Sequence, residues 1–308
     1  MNINSSILAK LFKTNITEVN KYCKTKIKKQ LKFNYLNEKE NNDLIIKVLS
    51  KIFEDKQIIA SRGRKNKWFQ GWNETLNIYR KDKNVNSLFP KFYTARENRY
   101  FRLGGKFIKV KNSNFEIKML DIYRNWYFKK YFSKVDNIYE FGAGTGHNLV
   151  ELSKIYPKKK LFGSDFVLSS IKILKLISKR KRINLQSFRF DMMNPNKKIK
   201  LLNNSAIYTS GAIEQLSGKI DKFIKYVISQ KPKIIVHVEP CADFYDNKNL
   251  ADYLGKIFQS KRKYTSNLLF KLKKLEKKNV IKIIKTCKSP FGSLMMEGYN
   301  LIVWKINK

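Results

Sequence analysis

Residues 137–147 read NIYEFGAGTGH, and the fold turns on them. An apolar run ending at Phe141 meets Gly142, Gly144 and Gly146, set among small residues, and an amphipathic segment follows. This is the pattern of a buried strand that turns through glycine into a helix. Such a turn brings bare backbone against a ligand, beside the positive end of a helix dipole. The three glycines are therefore expected to form a cofactor loop.

Outward from this loop, short apolar runs alternate with amphipathic segments, as in an α/β sheet. Strands are expected at 137–141, 160–165, 185–191, 205–210 and 233–240, with helices at 148–156, 169–180 and 218–229 between them. A basic helical region at 247–278 precedes two last strands, 280–287 and 299–306, joined closely enough to run antiparallel. Before residue 130 the chain reads as helical and irregular. Ile45, Ile46, Leu49 and Phe53 have helical spacing, and Phe115, Met119, Ile122, Trp126 and Tyr127 form an apolar stripe within 114–132. Two parts are expected: a mainly helical N-terminal extension over 1–130, read as a substrate lid, and a cofactor-binding domain over 131–308.

The chain has 308 residues, 43% of them hydrophobic and 13% aromatic, enough for a sizeable core. No apolar run approaches the roughly 18–20 residues that span a bilayer. The first residues lack the apolar core and cleavage site of a secretory signal, so a cytoplasmic protein is expected. Cys23, Cys241 and Cys287 are widely spaced and without CxxC spacing, which suggests neither a disulfide framework nor a metal site. The formal charge of +41 comes mostly from lysine spread through every segment, with abundant Asn and Ile. These three residues share A/T-rich codons, so base composition accounts for the pattern without selection for a polyanion. Arginine, suited to bidentate phosphate contacts, is comparatively scarce. The charge would still attract nucleic acid non-specifically at low salt.

The glycine spacing discriminates between ligands. A dinucleotide loop, GxGxxG, would place its third glycine where His147 stands, and the phosphate loop GxxxxGK[ST] is absent. The run EFGAGTG (140–146), with an acid before the glycines, resembles motif I of the class I S-adenosylmethionine-dependent methyltransferases. LFGSDF (161–166), FRFDMM (188–193) and TSGAIEQL (209–216) fall where that family has its ribose acid, its adenine contact and its "lEH" segment, with Gln215 in place of the common histidine. HVEP (237–240) and SLMMEGYNLIVW (293–304) add a likeness to bacterial methyltransferases of unassigned substrate, some encoded near surface-polysaccharide genes.

The resemblance, covering about 130–308, implies a seven-stranded Rossmann-like sheet with its last strand antiparallel, and S-adenosylmethionine as cofactor. It implies that Glu140 anchors the methionyl end, that Gly142, Gly144 and Gly146 pass beneath the cofactor, and that Asp165 takes the ribose hydroxyls. Phe166 lies beside that acid, and Asp191 and Met192 would meet the adenine. Methyl transfer to oxygen or nitrogen of a small molecule or glycan precursor is the expected activity.

For the chemistry, Glu239 and His237 alternate on one strand and so share a face. Glu239, at the strand end, reads equally as a base or as a cap of the following loop. His237 lies deeper, where a satisfied core histidine competes with a base. Glu214 and Gln215 would line the substrate cavity or tie the helix start to the cofactor loop, and His147 would touch cofactor or cap a helix. Glu297, the only acid in a basic stretch, is read as the partner of a lysine or arginine. Arg96, Arg99, Tyr100 and Arg102 form the densest Arg/Tyr cluster, and Arg99 and Tyr100 are placed in the substrate pocket. The principal rival is an RNA or DNA methyltransferase, favoured by charge. It is opposed by TSGA where amino-directed enzymes carry [DNS]PP[YFW]. A non-catalytic binder and a nicotinamide reductase are the others.

Overall fold

The computed structural model describes residues 1–27, 31–56, 60–90 and 99–307, with Ser61 and Arg62 given by backbone alone. Its centre is a seven-stranded sheet in the order β6-β5-β4-β7-β8-β11-β9. Here β4 is Asn137–Phe141, β5 Lys160–Asp165, β6 Leu185–Arg189, β7 Ser205–Ser210, β8 Ile234–Glu239, β9 Ile281–Cys287 and β11 Asn300–Ile306. The first five run parallel. β11 lies between β8 and β9, antiparallel to both, with a register shift at Val303/Trp304. Every residue of β4 is buried, as in a strand covered on both faces. The order reverses where β4 meets β7, and ligands bind beyond the strand ends at such a switch point.

One apolar cluster joins Leu8, Phe12, Tyr123, Trp126, Ile138, Tyr208 and Val303, so the first helix and the last strand share a core. A second covers the other face through Tyr139, Phe141, Ile207, Phe223 and Trp304. There the rings of Tyr139 and Phe162 stack at 4.1 Å. Among the described residues no helix is long and apolar enough to cross a membrane.

The first 130 residues contain the helices Ser5–Leu11, Ile16–Ile27, Glu38–Phe53, Lys65–Asp82 and most of Phe115–Tyr131. In Glu38–Phe53, capped reciprocally by Asn37 and Glu40, the buried face is Leu44, Val48 and Ile52. The expected stripe is thus rotated: Ile46 and Phe53 are exposed, because the contact is with Leu254 and Phe258 of the helix Leu250–Lys261. A small antiparallel sheet was not anticipated. Its order is β1-β3-β2-β10, from Phe33–Tyr35, Lys106–Val110, Tyr100–Leu103 and Phe291–Gly292. Leu103 pairs with Lys106 across Gly104 and Gly105, both at positive φ, as a tight two-residue hairpin requires. β10 binds this N-terminal hairpin to the last part of the chain.

Candidate functional site

Gly142, Gly144 and Gly146 all have positive φ, between 53° and 75°. A Cβ on Gly142 would stand 2.4 Å from that of Ala212, and one on Gly144 would stand 3.0 Å from the Trp72 ring. Gly146 serves packing instead, since its Cβ would meet Leu174 at 2.6 Å and it lines neither cavity described below. The loop hangs from β5. The Gly142 and Ala143 amides donate to the Ser164 carbonyl, and the Gly144 amide donates to Asp165 Oδ2 at 2.9 Å. Asp165 Oδ1 accepts from the Val167 amide, and burial pushes this carboxyl up to about 6 against those hydrogen bonds.

Two cavities meet at the loop, sharing Trp68, Trp72, Gly142, Gly211 and Gln215. The outer one, about 500 Å³, is lined by Asp165, Phe166, Asp191 and Met192 among others. Asp191 is exposed and accepts from the Met193 amide of its own turn. The inner chamber, about 320 Å³, is lined by Glu140, His147, Glu214 and Gln215 on one side and by Arg64, Glu116, Tyr264 and Tyr299 on others.

Glu140 is 1% exposed. Its Oε1 accepts from Asn148 at 2.7 Å, Asn148 is itself held by Arg124 at 3.1 Å, and Glu140 Oε2 has no protein partner. Burial pushes its carboxyl up to about 8, with Asn148 and Arg124 opposing. His147 packs edge-on to Phe89 at 5.2 Å, and burial lowers it to about 3, so the ring is neutral. Glu214 accepts from Gln215 at 2.6 Å through Oε1, and burial beside Glu239 raises it to about 8.

Several expected site residues lie elsewhere. Glu239 lines neither cavity. It accepts from the Ala212 and Ile213 amides at 2.9 and 3.1 Å and fixes the loop that carries Glu214. His237 is wholly buried, bonded through Nδ1 to Thr209 at 2.8 Å and lowered by burial to about 3, as in a core histidine. Arg99 and Tyr100 also miss both cavities, because each is taken up by the surroundings of the small sheet. Arg99 lines a groove with Tyr35 and Lys109, and Tyr100 packs against the Leu44–Phe258 cluster. Arg102 is buried and holds Glu297 at 3.0 Å, the expected partnership for that acid. Arg96 lies outside the described residues.

Chamber residues that sequence reasoning did not assign include Trp68, Trp72, Arg64, Glu116, Tyr264 and Tyr299. Only Trp68 and Trp72, four positions apart, offered a signal. Glu116 and Tyr299, 183 positions apart, meet at 2.8 Å.

No family model matches the chain, and no curated protein matches it. Solved structures do. The [4+2]-cyclase SpnF superposes with a TM-score of 0.50 at 11% identity, over 78% of this chain and 95% of SpnF. The fold is class I methyltransferase-like. The methyltransferase domain of bacterial CtHen1 gives a TM-score of 0.43 at 16% identity, over 58% of this chain and 94% of that one. NcsB1, an O-methyltransferase from neocarzinostatin biosynthesis, gives 0.42 at 8% identity, over 63% and 58%.

Proposed function

We propose that the chain is an S-adenosylmethionine-dependent methyltransferase acting on a small molecule or glycan precursor, by O- or N-methylation. The fold alone does not carry this, since one protein that shares it is a [4+2]-cyclase. The observation that does is Glu140 Oε2, a buried carboxylate oxygen without a protein partner, in a cavity that the Gly142 and Gly144 backbone also lines. The oxygen is suited to a cationic group. Asp165 and Asp191, at or just beyond the ends of β5 and β6, retain acceptor capacity for hydroxyl and amino donors. Together they fit the ammonium, ribose and adenine of S-adenosylmethionine. When bound, that cofactor supplies a methyl group on an electrophilic sulfonium.

The chain's own part is binding, orientation and water exclusion. Trp72 over Gly144 and Trp68 beside it roof the loop from the helix Lys65–Asp82, giving that part of the extension the role of a lid. The inner chamber, lined by Glu140, would receive the acceptor, and its volume of about 320 Å³ supports a small one.

Calorimetric titration with S-adenosylmethionine, S-adenosylhomocysteine and NADH at moderate salt tests the reading. Both adenosyl ligands should bind, and Asp165→Ala and Asp191→Ala should each weaken them at least tenfold. Preference for NADH, or no heat with either adenosyl ligand, would overturn it.

A further inference from the structure

The helix that carries Trp68 and Trp72, Lys65–Asp82, is unevenly built along its length. Its second half is fixed. Thr75, Leu76 and Tyr79 are buried there. Arg180 lies over the Tyr79 ring at 5.1 Å and donates to the Tyr79 and Arg80 carbonyls. Arg80 and Lys81 suit the negative end of the helix dipole, and Lys83 closes the helix in the left-handed conformation, its amide donating to the Tyr79 carbonyl at 3.2 Å. The first half has the opposite character. From Lys65 to Trp72 no residue is buried. Arg64, at the N-cap, gives no side-chain cap, and Lys65 and Lys67 stand at the positive end of the dipole with no acid in that turn. Gly71 weakens the middle, and a Cβ there would meet nothing within 4 Å, so close packing does not call for glycine. Thr75 donates its hydroxyl back to the Gly71 carbonyl at 3.0 Å, a bond that competes with the helical ladder and favours a bend.

At its start this half is tied down by Arg64, which lies over the Trp68 ring at 5.3 Å and donates to the Tyr264 hydroxyl at 2.8 Å. Tyr264 stands in a short segment fastened on both sides. Before it, the Arg262 carbonyl accepts from the Ala60 amide at 2.9 Å, and the Arg262 guanidinium holds Asp55 at 2.8 Å. After it, Thr265 donates its amide to the Glu214 carbonyl at 2.9 Å and its hydroxyl to that of Ile213 at 2.7 Å. The tie is thus anchored on the segment that also holds the turn carrying Gln215, which lines both cavities. Trp72 meanwhile rests on the cofactor loop so closely that a Cβ on Gly144 would lie 3.0 Å from its ring. Both tryptophans line both cavities, so in this position the helix is a wall common to the two and is shut on the loop backbone.

We propose that the helix from Lys65 to the Gly71–Thr75 turn is the moving part of the lid, that it bends at that turn with its second half as anchor, and that Arg64 on the Tyr264 hydroxyl is the latch. The proposal rests on the methyltransferase reading above for the ligand that the lid admits. Lifting this half takes Trp72 off Gly144 and opens both cavities at once. The latch joins two parts of the protein and is made whether or not a ligand is bound. Weakening it therefore speeds entry and release together, whereas a group that touches the ligand acts chiefly on release.

The test uses the full chain and two variants. Tyr264→Phe keeps the ring and removes the latch oxygen, and Gly71→Ala enters open space and stiffens the bend. Hydrogen exchange of the chain without ligand comes first, read segment by segment. Amides of Phe69–Trp72 should exchange at least about tenfold faster than those of Tyr79–Asp82. Tyr264→Phe should quicken the first set about tenfold, Gly71→Ala should slow it about two- to fivefold, and Tyr79–Asp82 should keep its rate in both. Stopped-flow mixing with S-adenosylhomocysteine, followed by tryptophan fluorescence, then gives entry and release. Both rates should rise in Tyr264→Phe and fall in Gly71→Ala, with Kd within about threefold of the parent in each. Equal protection of the two halves, exchange that neither variant moves, or a release rate that changes alone would overturn the proposal and leave the cofactor reading standing. Failure of S-adenosylhomocysteine to bind would overturn the cofactor reading, and hydrogen exchange would still decide for or against the moving half.

Discussion

Glu140 sits where burial and ligand chemistry pull its proton in opposite directions. Burial raises the carboxyl to about 8, and Asn148, backed by Arg124, offsets only part of this. Between its ordinary value and about 8 the folded chain therefore holds a proton that the unfolded chain has lost. This carboxyl accordingly costs stability as pH rises through that window. A cationic ligand reverses the preference, because its ammonium is best held by the ionised form. At pH 7, S-adenosylhomocysteine binding should release close to one proton, and affinity should rise with pH by up to about tenfold per unit below about 8. Titrations in two buffers of different ionisation enthalpy measure the proton directly. Glu140→Gln should abolish the release and weaken binding about 10–100-fold, the worth of a hydrogen bond to a charged group. A pH-independent affinity would place the ammonium away from Glu140. That this residue, Asp165 and Asp191 line the two cavities was legible in the sequence through the motif resemblance, because each falls near the end of its strand beside a recognisable turn. Arg64 and Tyr264 were not, since 200 positions separate them and only the folded chain joins them.

At the scale of elements, the large sheet was readable because its inner strands β4, β7, β8 and β11 are short, largely buried apolar runs, with a helix between most pairs. The small sheet was not. β1 has three residues and β10 two, too few for any period, and their partners are distant: Phe33 pairs with Val110 and Phe291 with Leu103. What holds β10 and the following loop is Arg102 on β2. It is wholly buried, donates to the Leu294 and Met295 carbonyls at 3.0 and 3.2 Å, and pairs with Glu297, itself unexposed. That loop carries Met295, Met296 and Tyr299 into the chamber, so the pair connects the extension to the acceptor side. Arg102→Met would strand the Glu297 carboxylate and several carbonyls, at a cost of about 3–5 kcal/mol, whereas Arg102→Met with Glu297→Met should recover part of it. Urea denaturation gives both values. A single variant within about 1 kcal/mol of the parent would show that the loop is held by its apolar contacts instead.

The whole molecule separates two electrostatic regimes. Outside, lysines crowd surfaces such as the end of the helix Leu168–Lys181, where Lys179, Arg180 and Lys181 are consecutive. Inside, the buried carboxyls of Glu116, Glu140, Glu214 and Asp165 line the cavities. Exposed charges are screened over about 10 Å at 0.1 M salt, and buried groups far less. Salt should therefore act on the two regimes separately. Homopolymeric RNA should bind at low ionic strength with a steep salt dependence and be lost by roughly 0.3 M salt, as for contacts made to phosphate alone. Over the same range S-adenosylhomocysteine affinity should change by less than about threefold, and neither ligand should displace the other. Self-repulsion of so many like charges disfavours the compact state, so thermal stability should rise with salt as RNA binding falls. The opposite result, RNA that competes with S-adenosylhomocysteine or survives high salt, would mean that the polyanion reaches the glycine loop. The nucleic-acid methyltransferase reading would then displace the small-molecule one, because a substrate strand has to enter past Trp68 and Trp72 to present its base.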